Sequence, residues 1–110
     1  MEKFSLIATG RTVLERAAAG SAGHAAETVV GGHERELRQT VIGITAGGEL
    51  GEHDNRGEAT LQVLQGRVRL VAGDVSWDLL AGDLLIIPPA RHRVEAVEDA
   101  VLLLSFAHSR

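Results

Sequence analysis

The chain contains no cysteine and no tyrosine, and its only two prolines are adjacent, Pro88 and Pro89. Without cysteine there is no disulfide scaffold and no thiolate metal site. That absence also fits a cytoplasmic setting. Without tyrosine one common general acid is missing. Aromatic residues are few: Phe4, Trp77 and Phe106. A core must therefore come from Val, Leu, Ile and Ala. No apolar run is longer than Ala100–Leu104, which is far too short for a membrane-spanning helix. The start, Met1-Glu2-Lys3-Phe4, has no long apolar run after a basic residue, so no signal peptide is expected. A basic excess is lacking too. Eleven Lys and Arg against fifteen Asp and Glu leave a net charge of −4, with the arginines scattered among acids. Nucleic-acid binders carry a positive excess gathered on one face. The pairs Arg67/Arg69 and Arg91/Arg93 read as solvated strand faces.

What is present is enough for one domain. The 110 residues are 45% hydrophobic, and a chain this long buries roughly two-thirds of its unfolded surface. Residues 11–19 predict a short helix. Thr12 and Glu15 have capping-box spacing, Gly20 stands where a left-handed C-cap is expected, and Val13, Leu14, Ala17 and Ala18 form the apolar face.

Beyond residue 23 the pattern predicts short strands at 25–31, 37–46, 50–55, 59–65, 67–72, 75–79, 84–87, 92–97 and 100–106. Turns fall at Gly31-Gly32, Gly47-Gly48, Gly57, Gly66, Gly73-Asp74, Gly82-Asp83 and Pro88-Pro89. Many short strands at near-regular spacing indicate an all-β sandwich or barrel. In 59–65, Ala59, Leu61 and Val63 share one face and Thr60 and Gln62 the other; Val68 and Leu70 likewise oppose Arg67 and Arg69. Each of these strands has one buried and one wet side. Residues 84–87 and 101–104 are apolar on both sides and are expected to be covered on both, the outer cover coming from the N-terminal helix or a second subunit. Trp77 is expected to anchor packing on the outer sheet.

The residues from 47 to 92 carry a motif. Gly47, five residues, His53, Asn55, Ala59 and Gly66 fall on one spacing frame, and Gly82, Pro88, Ala90 and His92 on a second, with fifteen residues between the frames. This pattern resembles the cupin superfamily, and in particular its small single-domain bacterial members; the resemblance covers about residues 36–106. It implies an all-β fold, the double-stranded β-helix or jelly-roll barrel, here a single domain over 1–110 with a short N-terminal helix.

The resemblance also implies a metal site, which in a typical cupin holds three histidines and one glutamate. In this chain only His53 keeps its residue in the first frame. Asn55 stands at the second histidine and Ala59 at the glutamate; the second frame has Ala90 for glycine and is one residue shorter before His92. An amide oxygen is a weak ligand for first-row metals, and alanine offers none. Glu58 has the wrong strand parity to substitute unless a bulge at Gly57 shifts the phase. Glu52 and Asp54 also oppose His53 in parity.

Two readings follow. In the first, the barrel binds a small molecule without catalysis, with His53, Asn55 and His92 orienting a polar group and Ala59, Leu61 and Val63 as the wall. In the second, the chain is an oxygenase or isomerase in which His53 and His92 hold a divalent ion (Zn, Fe, Mn or Ni) weakly, completed by Glu58 or water. His24 and His33 are expected in exposed loops and His108 outside the site. The expected partners are a small molecule and a second copy in a homodimer, with neither nucleic acid nor membrane.

Overall fold

A computed structural model describes residues 1–53 and 57–107; of His53 it describes the backbone. The chain opens with one helix, α1 (Leu6–Ala19). Nine strands follow: β1 (His24–Val30), β2 (Leu37–Ile44), β3 (Glu49–His53), β4 (Ala59–Gln65), β5 (Arg67–Ala72), β6 (Val75–Leu80), β7 (Leu84–Ile86), β8 (His92–Ala96) and β9 (Ala100–Ala107). They form two antiparallel sheets. One has the order β1-β2-β9-β4-β7 and the other β3-β8-β5-β6. These are the two walls of a jelly-roll barrel with an N-terminal helix.

The period-2 pattern explains the core. Along β4, Ala59, Leu61 and Val63 are buried while Thr60, Gln62 and Leu64 are partly exposed. Across the sheet, Leu61 lies opposite Leu104, and Val63 opposite Leu102. From the other wall Val68, Leu70, Leu79, Val94 and Ala96 complete the same apolar cluster. Trp77 packs against it too, opposite Leu70. It is thus an anchor, but on the inward side of its sheet rather than outside it.

The helix departs from its sequence-based outline. It begins five residues earlier, with Ser5 as N-cap: the Ala8 N–H donates to Ser5 Oγ at 3.1 Å. Thr12 does not cap; its hydroxyl donates to the Ala8 carbonyl within the helix. Gly20 is extended (φ −95°) rather than left-handed, and its N–H donates to the Arg16 carbonyl. Ala18 is exposed, and Gly10 takes its place on the buried face with Val13 and Ala17.

Close approach is the reason. A Cβ on Gly10 would come within 2.8 Å of Val101 Cγ1, and one on Gly43 of β2 within 2.7 Å of the Leu14 backbone nitrogen. The helix therefore lies backbone-to-backbone on β2. Val13 meets Val41, Val101 and Leu103 in a second apolar cluster. This covers the outer side of 101–104 from within the chain. The outer side of 84–87 is not covered: Leu84 and Ile86 are exposed, and Leu85 alone of the strand packs inward.

Gly66 closes the end of the barrel away from the histidines. Its φ is +82°, and a Cβ would overlap the Asp99 carbonyl oxygen. Only glycine meets both demands.

Candidate functional site

One end of the barrel gathers the sequence-predicted residues. β3 ends at His53, β4 begins at Ala59, and β8 begins at His92. The Ile87 N–H donates to the Ala59 carbonyl at 2.9 Å, so the segment leading to His92 leaves the sheet beside β4. β9 brings Phe106 opposite Ala59. The chain order thus delivers five strand ends to one place.

On the facing sheet, His53 and His92 are register partners. Leu50 is opposite Val94, and the pairing shifts between Leu50 and His53. The three-residue step on β3 is matched by a two-residue step on β8, so β3 carries one extra residue. Such an irregularity re-aims a strand near a site.

Among the described residues His92 is the buried polar side chain, at 1% exposure. Its Nδ1 lies 2.8 Å from the Ala90 carbonyl oxygen. A carbonyl only accepts, so Nδ1 carries a proton and donates. The loop holding that carbonyl is tight: the Ala90 N–H donates to the Pro88 carbonyl at 2.8 Å. The segment Pro88-Pro89-Ala90-Arg91, one residue shorter before His92 than the typical frame, positions the ring through its own backbone.

The remaining candidates separate cleanly. Ala59, Leu61 and Val63 are buried in the apolar cluster beneath this end. Glu58 is exposed, in keeping with its parity. Glu52 is exposed as well and accepts from Arg91 Nε at 3.3 Å. This pair links the chain neighbours of His53 and His92 at the rim, a contact the strand-face reading of Arg91 and Arg93 did not foresee. Arg93 instead pairs with Glu95 on its own strand. Arg67 and Arg69 both reach Asp78, so two guanidiniums share one carboxylate on a solvated face. His24 and His33 are exposed, His24 as the first residue of β1 rather than in a loop. Asn55 and His108 lie outside the described residues. Phe106 and Leu104, partly buried on the inner wall at this end, were missed as candidates; the alternation of β9 would have found them.

The donors do not match a three-histidine, one-carboxylate centre. Ala59 holds the glutamate position with no donor atom and is buried, and Glu58 is on the exposed side. Among the described residues, no three His, Cys, Asp or Glu side chains gather as a metal group. Nor is any helix long and apolar enough to cross a membrane.

Comparisons with known proteins agree with this fold. A solved protein of unknown function from Streptococcus pyogenes superposes with a TM-score of 0.72 at 23% identity, covering 83% of this chain and 79% of that one. An RmlC-like cupin from Desulfovibrio desulfuricans gives 0.68 at 28% identity, covering 76% and 81%. Salicylate 1,2-dioxygenase from Pseudaminobacter salicylatoxidans gives 0.76 at 20% identity; 89% of this chain matches 32% of that longer enzyme. No curated protein matches the sequence. The family model for the cupin domain matches residues 40–106, the stretch that holds both spacing frames and all but the helix, β1 and the first residues of β2. The chain belongs to the cupin family.

Proposed function

We propose that this barrel binds a small organic molecule at the His92 end and performs no metal-dependent reaction. The observation that carries the reading is His92 itself. It is a buried imidazole held by the Ala90 carbonyl, at the end of the barrel whose apolar wall includes Ala59, Leu61 and Val63. Pockets of this kind take affinity from apolar area and orientation from a few polar groups. His92, with its register partner His53, orients a polar group of the ligand, and Asn55, outside the described residues, is proposed to join them. Phe106 and Leu104 extend the wall.

The test is a fragment screen followed by amide NMR on the native chain. Binders shift the amides of Ala59, His92 and Phe106 together, and His92→Phe removes the response while the rest of the spectrum is retained. Binders that shift only residues remote from this end would contradict the proposal.

A second reading is supported by the same hydrogen bond. Metal-ligating histidines commonly donate their other ring N–H to a carbonyl, as His92 does. In this reading His53 and His92 hold a divalent ion and the chain is an oxygenase or isomerase. The empty position at Ala59 weighs against it.

A further inference from the structure

We propose, on the reading that the His92 end holds a ligand, that Arg38 makes this end selective for small apolar molecules bearing one carboxylate, which its guanidinium binds. Alternation along β2 sets the direction of the side chain. Ile42 and Ile44 lie in the inner apolar cluster, and Val41 meets the helix on the outer side. The pairing of β2 with β9 runs without a shift from Leu37 to Ile44, so Arg38 shares the inner face with Thr40, Ile42 and Ile44. Across the sheet Arg38 is opposite Phe106, and Phe106 is opposite Ala59. The arginine and the position that holds the glutamate in a typical cupin are therefore on one row, with a single strand between them.

Arg38 lacks a counter-charge. It is partly buried, its Nε is buried without a hydrogen-bond partner, and none of the ion pairs among the described residues includes it. Its outer arm runs beside Gly31, just past the end of β1, where an added Cβ would stand 3.7 Å from Cδ and Nη1. A charged donor taken from water without a partner is costly, and an anion in the barrel mouth relieves that cost. The inner face around it is divided. Thr28 and Thr40, whose hydroxyls lie 3.2 Å apart, continue a polar side on β1 and β2. Phe106, Leu104 and Ala59 form an apolar side on β9 and β4. Such a wall fits a molecule with an apolar body and one charged end, and the planar fork of arginine matches a carboxylate. Arg91 at the rim pairs with Glu52, and Arg35 with Glu2. Neither adds a second free charge, so a monoanion suits Arg38 better than a phosphate dianion.

NMR titrations of the full chain at neutral pH, with benzoate against benzamide and hexanoate against hexanamide, test this. Each carboxylate is expected to bind about tenfold or more tightly than its neutral amide, shifting the backbone N–H signals of Arg38, Phe106 and His92 together. Arg38→Gln removes that preference and leaves binding of the neutral amides in place. Arg38→Lys, which keeps the charge but not the fork, keeps part of the preference. Arg67→Gln, at an arginine whose Nε is equally buried but which pairs with Asp78 on the outer face of the other sheet, leaves it unchanged. Equal binding of carboxylate and neutral amide at this end would overturn the role of Arg38 while the ligand site itself stands. Carboxylates that bind elsewhere or not at all would also overturn it, as would a preference indifferent to Arg38→Gln or lost equally in Arg67→Gln.

Discussion

The Nδ1 of His92 donates to the carbonyl oxygen of Ala90 over 2.8 Å, two residues back in the chain. A ring buried to this degree is fixed in one tautomer by its own loop. Long-range ¹⁵N–¹H correlation spectra should show the proton on Nδ1 at neutral pH. A proton on Nε2 instead would contradict this hydrogen bond.

His92 is also a stability determinant. Replacing it with alanine leaves the Ala90 carbonyl without this donor and opens space in the packed end of the barrel. Ala90 is exposed and water can take its carbonyl, so the cost comes from the emptied space: truncating a buried side chain of similar size costs about 2–5 kcal/mol. Urea denaturation of His92→Ala should show a loss of that size. An unchanged midpoint would mean that the ring is not packed as described.

Helix docking gives a sharper contrast. A Cβ added at Gly43 would lie 2.7–2.8 Å from the backbone of Val13 and Leu14, whereas one added at Gly51 would meet no atom within 4 Å. Gly43→Ala forces α1 away from β2 and should cost about 1–3 kcal/mol, the usual range for overpacking. Gly51→Ala should fall within about 0.5 kcal/mol of wild type, as surface substitutions do. Equal effects of the two would mean that the helix does not lie on β2.

The helix start is open to the same treatment. Ser5 Oγ accepts from the Ala8 N–H, so Ser5→Ala should destabilise by about 1 kcal/mol. Glu15→Gln should be silent in thermal melts, because Glu15 is exposed well inside the helix and caps nothing. The reverse ranking would restore the capping box between Thr12 and Glu15.

Strand positions were legible in the sequence almost residue by residue because alternation and turn glycines are local signals. β4 and β5 match their expected limits; the other strands differ by one or two residues at one or both ends, and the expected end of the strand at 50–55 lies outside the described residues. The helix was not legible to the same degree. Gly10 resembles a helix boundary on propensity alone; its real reason is the side chain of Val101, ninety-one residues on, and no local rule contains that contact. Likewise the apolar run at 84–87 implied two covered faces, while the fold places its outer side beyond the reach of α1. At the site, parity correctly set Ala59 inward and Glu58 outward. The tie between His92 and Ala90 depends on the shortened proline loop, and sequence spacing registered that loop only as a missing residue.

The histidine end of the barrel is proposed as a ligand site, and Ala59 stands there in place of the carboxylate of a metal centre. Elemental analysis of protein purified without an affinity tag measures this most directly. Metal far below one equivalent per chain, with a melting temperature indifferent to chelator, is the predicted result. Near-stoichiometric metal that disappears in His53→Ala and in His92→Ala would contradict it.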